Sequence, residues 1–258
     1  MSTYLDRIVA RHREVAAADT RSLDALVEQA RGAPAPRGFR RALALTPELA
    51  VIAEVKRRSP SKGALAESLD PAALAAAYAH GGASCISVLT DEEFFGGSVA
   101  DLQAVRDATA LPVLRKDFTV DPRDIADARL MGADAVLLIV AVLDELELVE
   151  FVDLATELHL DALVEVHDEP ELEQALEAGA TLIGVNQRDL YTFEVDTDRA
   201  ERMAKAVPAG MVKIAESGIR DAADVERLAL AGYDAILVGE ALVTSPDPAA
   251  ALAALRKS

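Results

Sequence analysis

The stretch DAVLLIV at residues 134–140 has the form of a strand buried on both faces, because its apolar side chains follow one another without polar alternation. Seven further runs of this kind occur: AVIAEVK from Ala50, SCISVLT from Ser84, PVLRKDF from Pro112, LDALVEV from Leu160, TLIGVN from Thr181, MVKIAES from Met211 and DAILVG from Asp234. Each pair of successive runs leaves room for one helix and two loops. The pattern predicts eight β/α units with parallel strands.

Helical patterns rich in Ala, Leu and Glu lie between the runs. The clearest are at residues 71–79, 99–108, 146–158, 171–178 and 222–231. Several are followed by a glycine that is expected to form the C-terminal cap, namely Gly82, Gly132, Gly179 and Gly232. Because the chain lacks a glycine-rich dinucleotide motif, we expect an α/β protein with a closed (β/α)8 TIM barrel. An open, doubly wound sheet is the alternative.

Residues 1–47 do not fit the repeat. They predict an N-terminal helical extension that caps one end of a barrel formed by residues 48–258, within a single structural domain overall. Its helices are expected at 3–17 and 21–30, before the proline-containing connector GAPAPRG at 32–38.

Composition narrows the class of protein. The 258 residues suit one barrel, which typically has about 250 residues. A net charge of −18 disfavours nucleic-acid and anionic-lipid partners, and the single cysteine, Cys85, excludes an internal disulfide or a multi-cysteine metal site. The longest apolar run, 135–143, is too short to cross a bilayer, and the first residues lack the apolar stretch of a signal peptide. We expect a cytoplasmic protein without a membrane partner.

Polar side chains interrupt the carboxyl ends of the runs, where the active sites of barrels lie. They are Glu54, Lys56, Lys116, Glu165, Asn186, Arg188 and Glu216. A single charge at such a position is usually a loop-facing group or part of an ion pair. Seven together are costly to bury unless they pair with one another or bind a charged ligand. Since such neighbours perturb each other's pKa values, the set predicts general acid–base catalysis.

Two loops predict a phosphate site. Glu216, Ser217 and Gly218 follow the seventh run, and Gly239 and Glu240 follow the eighth. Loops in these positions frequently bind phosphate through backbone N–H groups.

The first loop and the histidines add weaker indications. Ser59, Ser61 and Lys62 of the first loop could reach the same anion. The sequence FFGGS at 94–98 predicts a lid or an aromatic wall. Among the histidines, only His167 is expected near the mouth, and its HDEPE context is a weak metal motif.

These motifs resemble the indole-3-glycerol-phosphate synthase family of tryptophan biosynthesis. The matching segments occur in order from residue 52 to 243 and include IAEVKRRSPSKG (52–63), SVLTDEEFFGGS (87–98), LPVLRKDF (111–118), LVEVHDEPEL (163–172), IGVNQRDL (183–190), IAESGI (214–219) and ILVGEALV (236–243). The resemblance implies a barrel with an N-terminal helical extension. It also implies conversion of 1-(2-carboxyphenylamino)-1-deoxyribulose 5-phosphate to indole-3-glycerol phosphate by ring closure, decarboxylation and dehydration, without a metal or organic cofactor.

The resemblance also implies roles for the polar residues. Lys116 would protonate the ketone oxygen during ring closure, and Glu165 would be an acid/base group of the dehydration. Lys56 would contact phosphate or carboxylate or supply a proton, with Glu54 holding it or a substrate hydroxyl; which lysine serves which step stays open. The implied catalytic set is Glu54, Lys56, Lys116, Glu165, Asn186, Glu216 and Ser217.

The remaining implied residues bind substrate. They are Ser59, Gly218, Gly239 and Glu240 at the phosphate, Arg188 at a hydroxyl or the carboxylate, and Phe118 with Phe94 or Phe95 against the anthranilate ring. Two positions depart from the family pattern: Gln187 stands where many members have a second Asn, and Glu240 where some have Ser. A Glu240 side chain must point away from phosphate, because like charges repel.

Two other interpretations stay open. Another phosphate-binding barrel, such as a sugar-phosphate isomerase or an aldolase, would use the same phosphate site. A catalytically silent barrel would have no reason to keep a costly ring of charges. We expect a phosphorylated small-molecule substrate and a monomeric chain, with weak self-association left open.

Overall fold

The structure, a computed structural model, describes residues 3–60 and 62–256. Its eight main strands form a closed parallel barrel, in which each strand pairs with its neighbours in sequence and the first pairs with the eighth. This arrangement confirms the predicted barrel, and every strand begins within one residue of its predicted start. The strands are β1 (Ala50–Val55), β2 (Cys85–Leu89), β3 (Val113–Lys116), β4 (Ala135–Ile139), β5 (Asp161–Val166), β6 (Leu182–Asn186), β7 (Val212–Glu216) and β8 (Ala235–Val238).

The helices of the described ranges surround the barrel or cover its ends, and none is long and apolar enough to span a membrane. They are α1 (Tyr4–Ala18), α2 (Leu23–Arg31), α3 (Phe39–Ala44), α4 (Pro71–Gly81), α5 (Val99–Ala108), α6 (Pro122–Met131), α7 (Glu145–Glu157), α8 (Glu169–Glu177), α9 (Arg199–Met203), α10 (Ala222–Leu230), α11 (Glu240–Val243) and α12 (Pro248–Arg256). Aspartate side chains cap the first turns of α4 and α6, and Gly82 and Gly132 end these helices at positive φ, as predicted.

Alternate strand positions face the barrel interior. Ile52 and Leu163 belong to the inner apolar cluster, whereas Val51 packs outward against the helices. Two positions beyond these inner residues, the same strand faces carry Glu54 and Glu165. The interior therefore changes from an apolar lower part to a polar layer at the carboxyl ends of the strands.

The N-terminal extension reaches both ends of the barrel, which corrects the expectation that it caps one. At the carboxyl ends, α1 buries Leu5 and Ile8 against the inner cluster. At the amino ends, Phe39 of α3 is fully buried, and the Cys85 thiol donates a hydrogen bond to the Phe39 carbonyl. The sequence pattern does not predict α3, because the helix has only six residues and follows a proline-containing connector.

Candidate active site

The predicted polar residues surround one cavity at the carboxyl ends of the strands. The cavity measures about 530 Å³, within the usual range of small-molecule sites. Thirteen of the fourteen predicted site residues line it: Glu54, Lys56, Ser59, Lys116, Phe118, Glu165, Asn186, Arg188, Glu216, Ser217, Gly218, Gly239 and Glu240. Strand pleating explains this convergence, since each of the strand residues among them continues an inward-facing row. Ser61 lies outside the described residues.

Lys116 lies between two buried carboxyl groups at the centre of the cavity. Its Nζ atom is 3.5 Å from Glu165 Oε2 and 3.9 Å from Glu216 Oε2. Burial lowers the pKa of Lys116, but the negative charges of Glu165, Glu216 and Glu54 outweigh this effect, and the pKa is raised. The amine is therefore protonated at neutral pH and able to act as an acid.

The two carboxyl groups differ in protonation. Burial and the nearby Glu165 raise the pKa of Glu216 to about 8, so Glu216 holds a proton at neutral pH. Burial raises the pKa of Glu165 as well. The charge of Lys116, followed by the charge of His167 and the hydrogen bond from Asn186, outweighs burial, so this pKa lies below its ordinary value. A pair of titratable groups whose pKa values are driven apart is typical of acid–base sites.

Glycine at position 184 makes room for Glu216. A Cβ atom on Gly184 of β6 would lie 2.1 Å from Glu216 Oε1, and no such contact is tolerated. Gly184 is hydrogen-bonded in register with Glu165 of the neighbouring strand, so the gap opens where the two carboxyl groups meet. Any larger residue at 184 would displace the Glu216 carboxyl group.

Asn186 connects the carboxyl cluster to the loop that follows β6. Its side-chain amide donates to Glu165 Oε1 at 3.0 Å, and its Oδ1 atom accepts the backbone N–H of Arg188 at 3.0 Å. The Arg188 guanidinium donates to the carbonyl of Phe193 at 3.0 Å. Asn186 thus fixes Glu165 and the start of the segment that presents Arg188 to the cavity.

Glu54 and Lys56 form an ion pair on the opposite wall. The Tyr78 hydroxyl donates to the Glu54 carbonyl at 3.0 Å and fixes the end of β1. A Cβ atom on Gly239 would meet Glu54 Oε2 at 2.2 Å and Lys56 Nζ at 3.1 Å. Because position 239 has no side chain, the pair lies against the backbone of the loop that follows β8.

The loops after β7 and β8, where the sequence predicts an anion cradle, both line the cavity. Ser217 and Gly218 both have positive φ, at 67° and 74°, and the Gln187 amide donates to the Ser217 carbonyl at 2.7 Å. A non-glycine residue in this region stores strain, which is common at functional sites. Gln187, which departs from the family pattern, therefore supports the strained turn.

Glu240 does not face the cradle with a free carboxylate. Its Oε1 atom is 3.0 Å from Lys62 Nζ, and both side chains are partly exposed. Lys62 belongs to the first loop, where Arg58–Ser59 and Gly63–Ala64 pair as a short hairpin. The ion pair connects this loop to the first turn of α11 and directs the Glu240 carboxylate toward Lys62.

The aromatic wall differs from the prediction at one residue. Phe95, not Phe94, lines the cavity, and its ring centroid is 6.2 Å from that of Phe118. The Asp91 carboxylate accepts both backbone N–H groups of this turn, at 2.6 and 3.0 Å. In this tight turn Phe94 is buried edge-on against Tyr4 of α1, 5.8 Å between centroids.

His12 also lies at the mouth of the cavity, where only His167 was expected among the histidines. It lies at the mouth because α1 crosses it: Nε2 is 3.0 Å from Asp91 Oδ2 and 3.8 Å from Asp117 Oδ1, and the ring lies 5.5 Å from that of Phe118. These three groups are close enough to hold a metal ion. However, Arg115 and Thr90 already donate to Asp117, which favours an ion-pair network.

His167 lies behind Glu165, near the mouth as expected. Its Nδ1 atom contacts Glu171 Oε2 at 2.9 Å, and Asp168 caps α8 by accepting the N–H of Glu171. Because these carboxylates already have donors, the HDEPE segment is better explained as a helix start than as a metal site.

Comparisons with known proteins agree with this geometry. The family profile described as Indole-3-glycerol phosphate synthase matches residues 5–255. The indole-3-glycerol phosphate synthase of Mycolicibacterium vanbaalenii is 52% identical over 256 residues, covering 98% of this chain and 94% of the relative, and that of Rhodococcus jostii is 54% identical over 254 residues with the same coverage. Among solved structures, thiamine phosphate pyrophosphorylase from Pyrococcus furiosus covers 81% of this chain and 94% of its own, with a TM-score of 0.62 and 18% identity, and so shares the fold. The chain belongs to the indole-3-glycerol phosphate synthase family.

Proposed function

We propose that Lys116, Glu165 and the polar residues around them carry out the reaction of this family. The chain is a carboxy-lyase of tryptophan biosynthesis that forms indole-3-glycerol phosphate. Its substrate, 1-(2-carboxyphenylamino)-1-deoxyribulose 5-phosphate, has three groups that need separate sites: a phosphate, a sugar chain with a ketone, and a carboxylated aromatic ring. The cavity offers a site for each group: an anion cradle for the phosphate, an acid–base cluster for the sugar chain with its ketone, and an aromatic wall for the ring.

Ring closure requires an acid at the ketone oxygen, because the aromatic carbon attacks only a carbonyl that is sufficiently polarised. Lys116 is the proposed acid. It is protonated, it lies at the centre of the cavity, and its two carboxyl neighbours hold its amine in place. Once the ring carbon is tetrahedral, loss of CO₂ restores the aromatic ring.

Dehydration requires removal of a proton from the chain carbon beside the nitrogen and protonation of the departing hydroxyl. Glu165 is the proposed base, since its pKa is lowered and it is ionised at neutral pH. Lys56, paired with Glu54, is placed to protonate the leaving hydroxyl or to bind the substrate carboxylate. Glu216, which holds a proton, is proposed to hydrogen-bond a sugar oxygen, as are Asn186 and Arg188.

The phosphate is proposed to bind between the loops after β7 and β8. Ser217, Gly218 and Gly239 offer backbone N–H groups there, with the Ser59 hydroxyl on the facing loop. Glu240 contributes its backbone only. Phe118 and Phe95 are proposed to enclose the anthranilate ring, together with the apolar side of α1.

The position of Lys116 between Glu165 and Glu216 is the observation that carries this assignment. Its test is Lys116→Ala, assayed by the fluorescence of the indole product with EDTA present. We expect kcat to fall by about 10²–10⁴ with little change in KM, since a general acid is lost. Lys205→Ala, at an exposed position, is the matched control. Near-normal turnover in the Lys116 variant would remove this residue from the acid role.

We also propose a monomeric chain in the cytoplasm, without a nucleic-acid partner and without a metal or organic cofactor. The net charge of −18 disfavours nucleic acid, and a single cysteine fits a reducing compartment. The absence of a cofactor is what the family resemblance implies. Size-exclusion chromatography across a range of protein concentrations tests the monomer.

A further inference from the structure

We propose that His167, held by Glu171, resupplies the buried active-site carboxyl group of Glu165 with protons from solvent. This inference rests on the proposed function and adds two residues that touch no substrate. His167 does not line the cavity; it lies behind Glu165, on the side away from the substrate space.

The contacts of the imidazole ring fix its orientation. Glu171 Oε2 accepts the backbone N–H of His167 at 2.7 Å and faces Nδ1 at 2.9 Å. Because a carboxylate only accepts, Nδ1 carries a proton. Nε2 therefore faces Glu165 Oε1, at 3.8 Å, and this buried nitrogen has no hydrogen-bond partner among the described residues.

The three side chains form a route of increasing exposure. The side chain of Glu165 is 1% exposed, that of His167 is 11% exposed, and that of Glu171 is 20% exposed. A substrate that fills the cavity separates Glu165 from the water on its front side. The contact with His167 then connects this carboxyl group to solvent from behind.

Charged groups on three elements face His167. Burial lowers its pKa, and so does Arg199 of α9, whereas Glu171 of α8 and Glu165 of β5 raise it, and the net shift is upward. The ring can thus be cationic near neutral pH while still able to lose its proton. A proton carrier needs both forms.

The reaction requires one proton from solvent in each turnover. The substrate carboxylate leaves as uncharged CO₂, and the ketone oxygen leaves as water. That oxygen needs two protons, but the chain carbon supplies only one when the indole double bond forms. One further proton must therefore enter the cavity.

The transfers balance through the groups described. With Lys56 binding the substrate carboxylate, Lys116 gives one proton to the ketone oxygen and a second to the departing hydroxyl. Glu165, 3.5 Å away, restores the amine each time, once with the proton that it takes from the chain carbon and once with a proton from His167. The Nε2–H bond of His167 breaks as an O–H bond forms on Glu165, while Nδ1 keeps its proton. Because Nε2 is buried, the neutral ring must turn toward solvent before this atom regains a proton from water. Loss of the Lys116 charge makes Glu165 easier to protonate, because that charge is what lowers its pKa.

The test compares the first turnover with later ones in His167→Ala. We expect the first turnover, measured with enzyme in excess, to keep nearly the wild-type rate, because Lys116 starts protonated. Steady-state kcat in dilute buffer should fall by about tenfold or more and recover as imidazole is added. His80→Ala, at an exposed histidine of α4, is the control and should show neither effect.

Glu171→Gln is a second variant that keeps an acceptor for the backbone of His167 but removes the charge. Its kcat should decline at a lower pH than that of the wild type, because the cationic ring is less stabilised. Both variants should melt at temperatures close to the wild type.

Two outcomes would overturn the inference: equal slowing of first and later turnovers without imidazole rescue, or an unchanged kcat. An inactive wild-type chain would instead contradict the proposed function.

Discussion

Two glutamates of the same cavity hold opposite protonation states because of what lies beside them. Lys116 lies nearer to Glu165, which also accepts a hydrogen bond from Asn186, whereas at Glu216 burial and the charge of Glu165 outweigh the effect of Lys116. Sequence alone predicted that both side chains converge with Lys116, since strand pleating fixes the direction of alternate residues. It could not predict which carboxyl group is ionised, because that depends on distances of a few ångströms between strands.

Glu165→Gln should lower kcat by about 10²–10⁴ and leave KM nearly unchanged, since the amide keeps the shape of the side chain but cannot accept a proton. The ring-closed, decarboxylated intermediate should then accumulate, and mass spectrometry of quenched reactions would detect it. A raised KM with unchanged turnover would place Glu165 in binding instead.

Glu216→Gln should change how stability depends on pH. The folded chain keeps a proton on Glu216 up to about pH 8, whereas the ordinary pKa is 4.5. Between these values the folded state binds more protons than the unfolded state, so wild-type stability falls as pH rises. The variant lacks this loss. Its melting temperature relative to wild type should therefore rise between about pH 5 and 8, and a constant difference would argue against a protonated Glu216.

At the scale of the element, α1 shows the limit of a sequence pattern. Its apolar stripe predicted a helix within one residue of the observed ends, but the stripe does not say which surface it covers. The prediction of Phe94 failed for a similar reason, because this ring packs against Tyr4 of α1, which lies far away in the sequence. A sequence pattern indicates which side chains are buried, but long-range contacts decide which surface they pack against.

His12→Asn should loosen α1, since the variant loses the charged contact with Asp91. KM should rise, because α1 carries Leu5 and Ile8 into the cavity wall. The expected loss in stability is about 1.5–3 kcal/mol, the usual value for a hydrogen bond to a charged group. His80→Asn, at an exposed position on α4, is the control.

The pH dependence gives a second readout for His12. Burial lowers its pKa, but Asp91 and Asp117 raise it more, so the net shift is upward from 6.5. The stabilisation that the His12 ion pair gives to the folded chain is therefore complete below about pH 6.5, and it is lost as pH rises through the folded-state pKa of His12. A stability difference between wild type and variant that grows with pH would contradict the ion pair.

At the scale of the whole molecule, the barrel follows from the sequence because each of its strands is buried on both faces and reads as a continuous apolar run. That the N-terminal extension contacts both ends of the barrel does not follow from the sequence. Arg37 and Arg40 donate their backbone N–H groups to Asp134 and Asp161 at the start of β4 and β5, and no spacing rule joins such distant positions. We propose that the β/α repeat begins near residue 48, but that the extension and the barrel unfold together as one cooperative unit.

Phe39→Ala tests this unity. Phe39 is fully buried beneath the barrel, so the variant should lose about 3–5 kcal/mol in the free energy of unfolding and still unfold in one transition. Urea denaturation followed by circular dichroism measures both. Leu45→Ala, at an exposed position nearby, should change stability by less than about 0.5 kcal/mol. Two separate transitions would show that the extension and the barrel are independent units.

The contacts of α1 and α3 with opposite ends of the barrel have a consequence for biosynthesis. This segment leaves the ribosome before the barrel, yet the surfaces that receive it include β8, which is made about 200 residues later. At about 5–20 residues per second, the apolar side chains of the extension wait roughly 10–40 s for their docking sites. The nascent chain therefore carries Leu5, Ile8 and Phe39 unprotected throughout that interval, and a chaperone that binds short apolar helices would act on this segment first.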